Sequence, residues 1–221
     1  HTSDGTALFT RLTGDGEQIF GLRLWAGSTS GGVPGSGYQI TTANADSGQV
    51  PYGFVADRWV HVVLLFTPST AHLYLDGAAV FAMVKGELDY GSAGDFLLGR
   101  DATGNPFAGQ IDELRVWNVA RTLPEIVADK HTPLTGGEPG LVGYYPFDTD
   151  GRAGTVEDLS SSGRSMVLTD PADLVVSLAP VSADGGSGVP WMSLSGVSGT
   201  VAPGNSDVIT LGLDAGDLGY G

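Results

Sequence analysis

The chain has 221 residues, long enough for one large β or α/β domain or for two smaller ones. Its 35 glycines and 12 prolines mark it as turn-rich, while 41% hydrophobic residues supply a core, so it is not a disordered chain. No run approaches the ~20 consecutive apolar residues of a membrane helix, the absence of cysteine excludes disulfides and thiolate chemistry, and a formal charge of −15 argues against nucleic acid as a partner.

In chain order, the first strands are expected at 7–11 and 18–25, joined by the turn Thr13-Gly14-Asp15-Gly16. A Gly/Ser-rich segment at 27–53 follows, longer than most connections, and long segments on a rigid β scaffold tend to carry function. Tyr38, Tyr52 and Phe54 lie in or beside it, and an exposed ring there offers a face on which a sugar could stack. These are the candidate ligand-binding residues; the competing reading is that their rings cover the edge of a sandwich. Strands at 59–66 and 71–75 flank Thr67-Pro68-Ser69-Thr70. Asp76-Gly77 then signals a hairpin, because a type I′ turn needs positive φ at both central residues, and it leads into a strand at 79–81. Further strands are expected at 96–99, 109–117, 143–147 and 166–168. Alternate residues Leu22, Leu24, Val60, Val62 and Leu64 fit burial against an opposite sheet, and Trp25, Trp59 and Trp117 are read as core.

One short helix interrupts the period of two. Thr122 and Glu125 have the spacing of a capping box, Leu123, Ile126 and Val127 share a face over 123–130, and Pro133 stops it. A linker-like run, Ser182-Ala183-Asp184-Gly185-Gly186-Ser187-Gly188, then separates 1–181 from 190–221. The tail offers strands at 191–194 and 208–211, too few for an independent sheet. The expected organisation is therefore one domain at 1–181, a linker at 182–189 and the opening part of a second β module at 190–221.

Residues that could carry chemistry are sparse. His1, His61, His72 and His131 show no metal spacing. Asp112 and Glu113 are adjacent in a strand, where neighbours point to opposite faces and make no acid/nucleophile pair. Asp148-Thr149-Asp150-Gly151 fails as a calcium loop, because Arg152 and Leu159 fall at its fifth and twelfth positions. Gly35-Ser36-Gly37 lacks the third glycine and the helix of a phosphate cradle. The chain is read as a non-enzyme.

The run FAGQIDELRVWNVAR at 107–121, with Pro124-Glu125-Ile126 after it, resembles the signature of the laminin G-like/pentraxin superfamily of concanavalin A-like domains. Trp59-Val60-His61-Val62, Leu73-Tyr74-Leu75-Asp76-Gly77, Leu98-Gly99-Arg100 and GLVGYYPFD at 140–148 occur in the family's order, so the likeness covers roughly 5–180. It implies an all-β fold: an antiparallel jelly-roll β-sandwich with one short helix, here with a partial second β-sandwich module at the C-terminus. The family's usual strand before the equivalent of Thr6-Ala7-Leu8-Phe9 is expected to be missing. By the same resemblance Asp15, Asp101 and Asn105 fall in loops that carry pentraxin calcium ligands, making Ca2+ the implied cofactor. SGTVAPG at 198–204 resembles a bacterial immunoglobulin-like (BACON-like) repeat. Together these imply a secreted, extracellular surface protein in which this module binds glycan or protein in adhesion, with no membrane insertion. The alternative is a structural subunit of a filament, sheath or virion surface, joined to copies of itself by strand exchange.

Overall fold

The computed structural model describes residues 6–25, 36–54, 58–88, 94–104, 106–107, 109–148, 154–168, 197–200 and 208–214. The strands are β1 (Thr6–Leu12), β2 (Gln18–Trp25), β3 (Gly37–Thr42), β4 (Ala45–Asp46), β5 (Val50–Pro51), β6 (Trp59–Phe66), β7 (Thr70–Leu75) and β8 (Ala78–Val84). They continue with β9 (Asp95–Leu98), β10 (Gln110–Trp117), the helix α1 (Leu123–Asp129), β11 (Leu141–Tyr145), β12 (Thr155–Val156), β13 (Met166–Leu168), β14 (Val197–Thr200) and β15 (Val208–Asp214).

Two antiparallel sheets face each other, as an all-β jelly-roll sandwich requires. One runs β12-β13-β14-β9-β1-β2-β3-β4, with β5 also on β3, and the other runs β11-β10-β15-β6-β7-β8. Alternation places one set of side chains between them. Val60, Val62 and Leu64 of β6 meet Leu22 and Leu24 of β2 in a single core cluster with Ile111. Each such fully buried aliphatic side chain stabilises the fold by about 1.5–3 kcal/mol. β6 is apolar at every position but His61 because its other face is covered as well. Val63 and Leu65 pack there with Trp117, Ile126, Leu141 and Tyr144, under α1.

Trp117 is thus buried beneath the helix and not between the sheets. Trp59 is only half-buried at the start of β6, where the strand emerges from the core. The side chain of Trp25 lies outside the described residues.

Local signals fold as their chemistry dictates. Asp76 and Gly77 take φ of 52° and 84°, the two positive values a type I′ turn demands, between β7 and β8. The Glu125 carboxylate accepts hydrogen bonds from the Thr122 N–H and hydroxyl, both at 2.7 Å, at the start of α1. Lys130, at the C-cap, donates to the Asp76 carbonyl and ties the helix end to the hairpin.

The tail departs from expectation. The strand expected at 191–194 lies outside the described residues. Of the segment read as opening a separate module, β14 lies between β13 and β9, and β15 lies between β10 and β6. Both complete the sandwich's own sheets. The physical reason is the open ladders of β6, β9, β10 and β13, whose backbone groups need partners.

Candidate functional site

The expected ligand-binding rings turn out to seal the sandwich. Tyr38 is 1% exposed and belongs to the core. Its ring lies 6.2 Å from Tyr52 and 5.9 Å from Phe81 of β8, and Tyr52 lies 4.8 Å from Phe54. The Ser36 hydroxyl donates to the Tyr52 carbonyl at 2.7 Å and accepts from the Phe54 N–H at 2.8 Å, pinning the loop. Tyr38 therefore offers no face to a sugar. Tyr52 and Phe54 are half-buried and pack against the core cluster.

The side of β3 away from the core carries a different chemistry. Tyr38 and Ile40 point inward, so Gln39 and Thr41 point outward, in register with Arg23 and Gly21 of β2. Asp46 of β4 stands opposite Thr41. Gln39 Nε2 donates to both Asp46 carboxylate oxygens at 3.0 Å, and the Gly48 N–H donates to Asp46 Oδ1 at 2.7 Å. Gln18 Nε2 donates to the Thr41 hydroxyl on the same face. Arg23 pairs with Asp101 at 3.2 Å, and the Asp101 side chain is only 2% exposed. The buried carboxylate fixes a half-exposed guanidinium above the sheet. Arg23, Gln39, Thr41 and Asp46 thus share one face of β2, β3 and β4, with Arg23 held by Asp101, Thr41 by Gln18 and Gln39 by Asp46, a set of donors and acceptors suited to hydrogen-bonding hydroxyl groups. This row was missed in the sequence; the alternation Tyr38-Gln39-Ile40-Thr41 is the signal that reveals it.

The calcium set does not converge. Asp101 Oδ1 accepts from the Thr103 N–H at 2.9 Å and hydroxyl at 2.6 Å, while Oδ2 faces Arg23. Asp15 accepts from the Thr13 hydroxyl in the exposed β1–β2 turn, a bond that lowers its pKa. That turn precedes Gln18, whereas Asp101 sits against Arg23, five residues along β2 and so about 17 Å away. Asp15 and Asp101 do not fit one ion. Asn105 lies outside the described residues, and among the described residues no three His, Asp or Glu side chains group as metal ligands.

The strand carrying Asp112 and Glu113 is irregular at that point. Glu113 takes φ of 52°, and the register against β15 shifts between Asp112 and Arg115, so a bulge replaces simple alternation. Glu113 Oε2 accepts from Arg115 Nη2 at 2.5 Å and Nε at 3.2 Å, and Oε1 accepts from the Tyr144 hydroxyl at 3.1 Å. Arg115 also donates to the carbonyls of Asp129 and Thr132 at 2.7 and 2.8 Å. The group fastens the end of α1 to the sheet. Burial raises the Glu113 pKa, opposed by Arg115, and burial with the nearby Glu113 pushes Asp112 up to about 9. Both carboxylates are nearly inaccessible, at 1% and 6% exposure.

A family model for the concanavalin A-like lectin/glucanases superfamily matches residues 1–127, more than half of the sequence. The chain belongs to this superfamily. The matched stretch contains β1 to β10, hence the whole polar row and the strands that carry it. Among solved structures, this concanavalin A-like chain is similar to a "putative carbohydrate binding protein" from Bacteroides ovatus, with a TM-score of 0.54 and 20% identity. The likeness covers 94% of this chain and 49% of the other, so the chain spans about half of that protein's length. At that identity the two share a fold. No curated protein sequence matches.

Proposed function

We propose that this chain is a non-catalytic carbohydrate-binding module that takes glycan on the outer face of β2, β3 and β4. The observation that carries the reading is the row Arg23–Gln39–Thr41–Asp46, with its guanidinium and amide held by Asp101 and Asp46 before any ligand arrives. Sugar hydroxyls need paired donors and acceptors in one plane, and a fixed row binds without first losing side-chain entropy. The superfamily, which holds lectins as well as glucanases, and the Bacteroides ovatus protein support the same ligand class. Acid–base hydrolysis has no support in the row, whose one carboxylate is engaged by Gln39 and Gly48. A glycan ligand also favours an extracellular setting, with the module serving adhesion or substrate capture for a larger protein.

The test is calorimetric titration against a panel of soluble polysaccharides, repeated with EDTA and with millimolar calcium. Binding by the wild-type chain, reduced at least tenfold by Gln39→Ala with Thr41→Ala, which leave the Arg23–Asp101 pair intact, while the melting temperature stays within a few degrees, is the expected result. Binding should be indifferent to EDTA, since Asp15 and Asp101 stand apart. Undiminished affinity in the double variant overturns the assignment of this face.

A further inference from the structure

The described strands up to Leu168 leave two openings in the sandwich. One lies between β10 and β6, the other between β9 and the shorter edge of β13. β15 fills the first, with all seven of its residues in register with β6, from Val208↔Leu65 to Asp214↔Trp59. β14 fills the second, pairing with β9 over Val197↔Leu98 to Thr200↔Asp95 and with β13 at Val167 and Leu168. The sequence of β15, Val-Ile-Thr-Leu-Gly-Leu-Asp, places apolar residues 209, 211 and 213 opposite Leu64, Val62 and Val60, which face the core. An opening of this kind recognises any extended segment that supplies backbone groups and apolar residues at alternate positions.

The occupant is joined unusually. Leu168 and Val197 are register partners, yet 28 residues separate them, 169 to 196. Extended, 28 residues span about 95 Å, far more than the few ångströms that separate partner strands. The covalent path therefore lets segment 197–214 reach its own openings or those of a neighbour. We propose that the two openings form a strand-acceptor site, and that β14 and β15, which fill it within the chain, fill the same site of a second copy when copies are concentrated. The ladder pairings of the closed chain are reproduced in the exchanged pair, so the two forms differ mainly in tether entropy. A tether of this contour length corresponds to an effective concentration on the order of millimolar, which sets where exchange begins to compete. Reciprocal exchange closes a two-fold dimer; exchange in one direction extends a chain of copies.

The absence of native cysteine makes a direct test clean. Thr210→Cys with Val63→Cys, partners across β15 and β6, should oxidise to a closed covalent monomer at about 10 μM, far below the tether's effective concentration. Ser198→Cys with Leu97→Cys, partners across β14 and β9, repeats the test should the first pair disturb packing. Chains carrying only Thr210→Cys and only Val63→Cys are then mixed, unfolded and refolded together near 1 mM, in the tether's own range. Covalent heterodimers in that mixture, scarce when refolding is done at about 10 μM, are the expected result. Closed monomer without heterodimer at any concentration overturns the exchange. Failure of both double-cysteine chains to close overturns the acceptor site itself.

Discussion

His61 stands on the helix-covered side of β6 with both ring nitrogens buried and without partners. Burial first, then Arg115 and Lys130, lower its pKa from 6.5 to about 3, with Asp76 pulling the other way. The folded ring is neutral where the unfolded ring is protonated. The unfolded chain therefore binds more protons between about pH 3 and 6.5, and stability falls as pH drops through that window. Melting temperatures measured from pH 7 to pH 4 should decline, and His61→Phe should flatten the decline; an unchanged slope refutes the assignment. Asp112 has the opposite sign. Its carboxylate is buried, with the Glu113 backbone only partly offsetting the loss of water, and its pKa rises from 3.8 to about 9. The folded chain holds that proton where the unfolded chain has lost it, so the contribution is complete below pH 3.8 and declines as pH rises towards 9. Asp112→Asn keeps the shape without the charge. It should raise the melting temperature at pH 8 and change little at pH 4, and a variant less stable than wild type at pH 8 would refute the reading.

At the scale of elements, the β7–β8 hairpin and α1 are coupled through a missing side chain. A Cβ at Gly77 would lie 3.1 Å from Val127 Cγ2, in addition to the strain of φ at 84°. Gly16, in the β1–β2 turn, has a similar φ of 91° and nothing within 4 Å of its added Cβ. Left-handed strain alone costs about 1 kcal/mol for alanine. Gly16→Ala should thus lose about that much in urea unfolding, and Gly77→Ala distinctly more; equal losses would show that the helix contact contributes nothing. Both turns were legible in the sequence because Asp-Gly and Gly-Asp-Gly act within two or three residues. β2 and β6 were legible too, their apolar runs needing no distant partner to be recognised. β3 was hidden, since its four-residue alternation is surrounded by glycine and serine, and with it went Gln39 and its partners. The bulge at Glu113 escaped for a related reason: the positive φ at a glutamate is imposed by the ladder and by Arg115, neither of which its neighbours in sequence announce.

For the whole molecule, the least legible feature was the placement of β14 and β15, whose strand character shows locally but whose partners in β9, β10 and β6 lie 91 to 155 residues away. The net charge, by contrast, is read directly and acts over the full surface. With 25 acidic and 10 basic residues the chain carries −15. Arg23 is the cation of the proposed face, and Asp101 already neutralises it. A polyanionic glycan would gain no free cation there and would meet the repulsion of the whole chain. The Debye length is about 30 Å at 0.01 M salt and about 8 Å at 0.15 M, so that repulsion spans the molecule in the first case and is local in the second. Uncharged polysaccharides should therefore bind with affinities that hardly change between these salt concentrations. Uronate-rich or sulfated polymers should bind more weakly, and their affinity should improve as salt is added. Titration of one neutral and one sulfated polymer at both ionic strengths measures this. A sulfated polymer that binds more tightly at 0.01 M would mean that a cationic surface other than the Arg23 row receives the ligand.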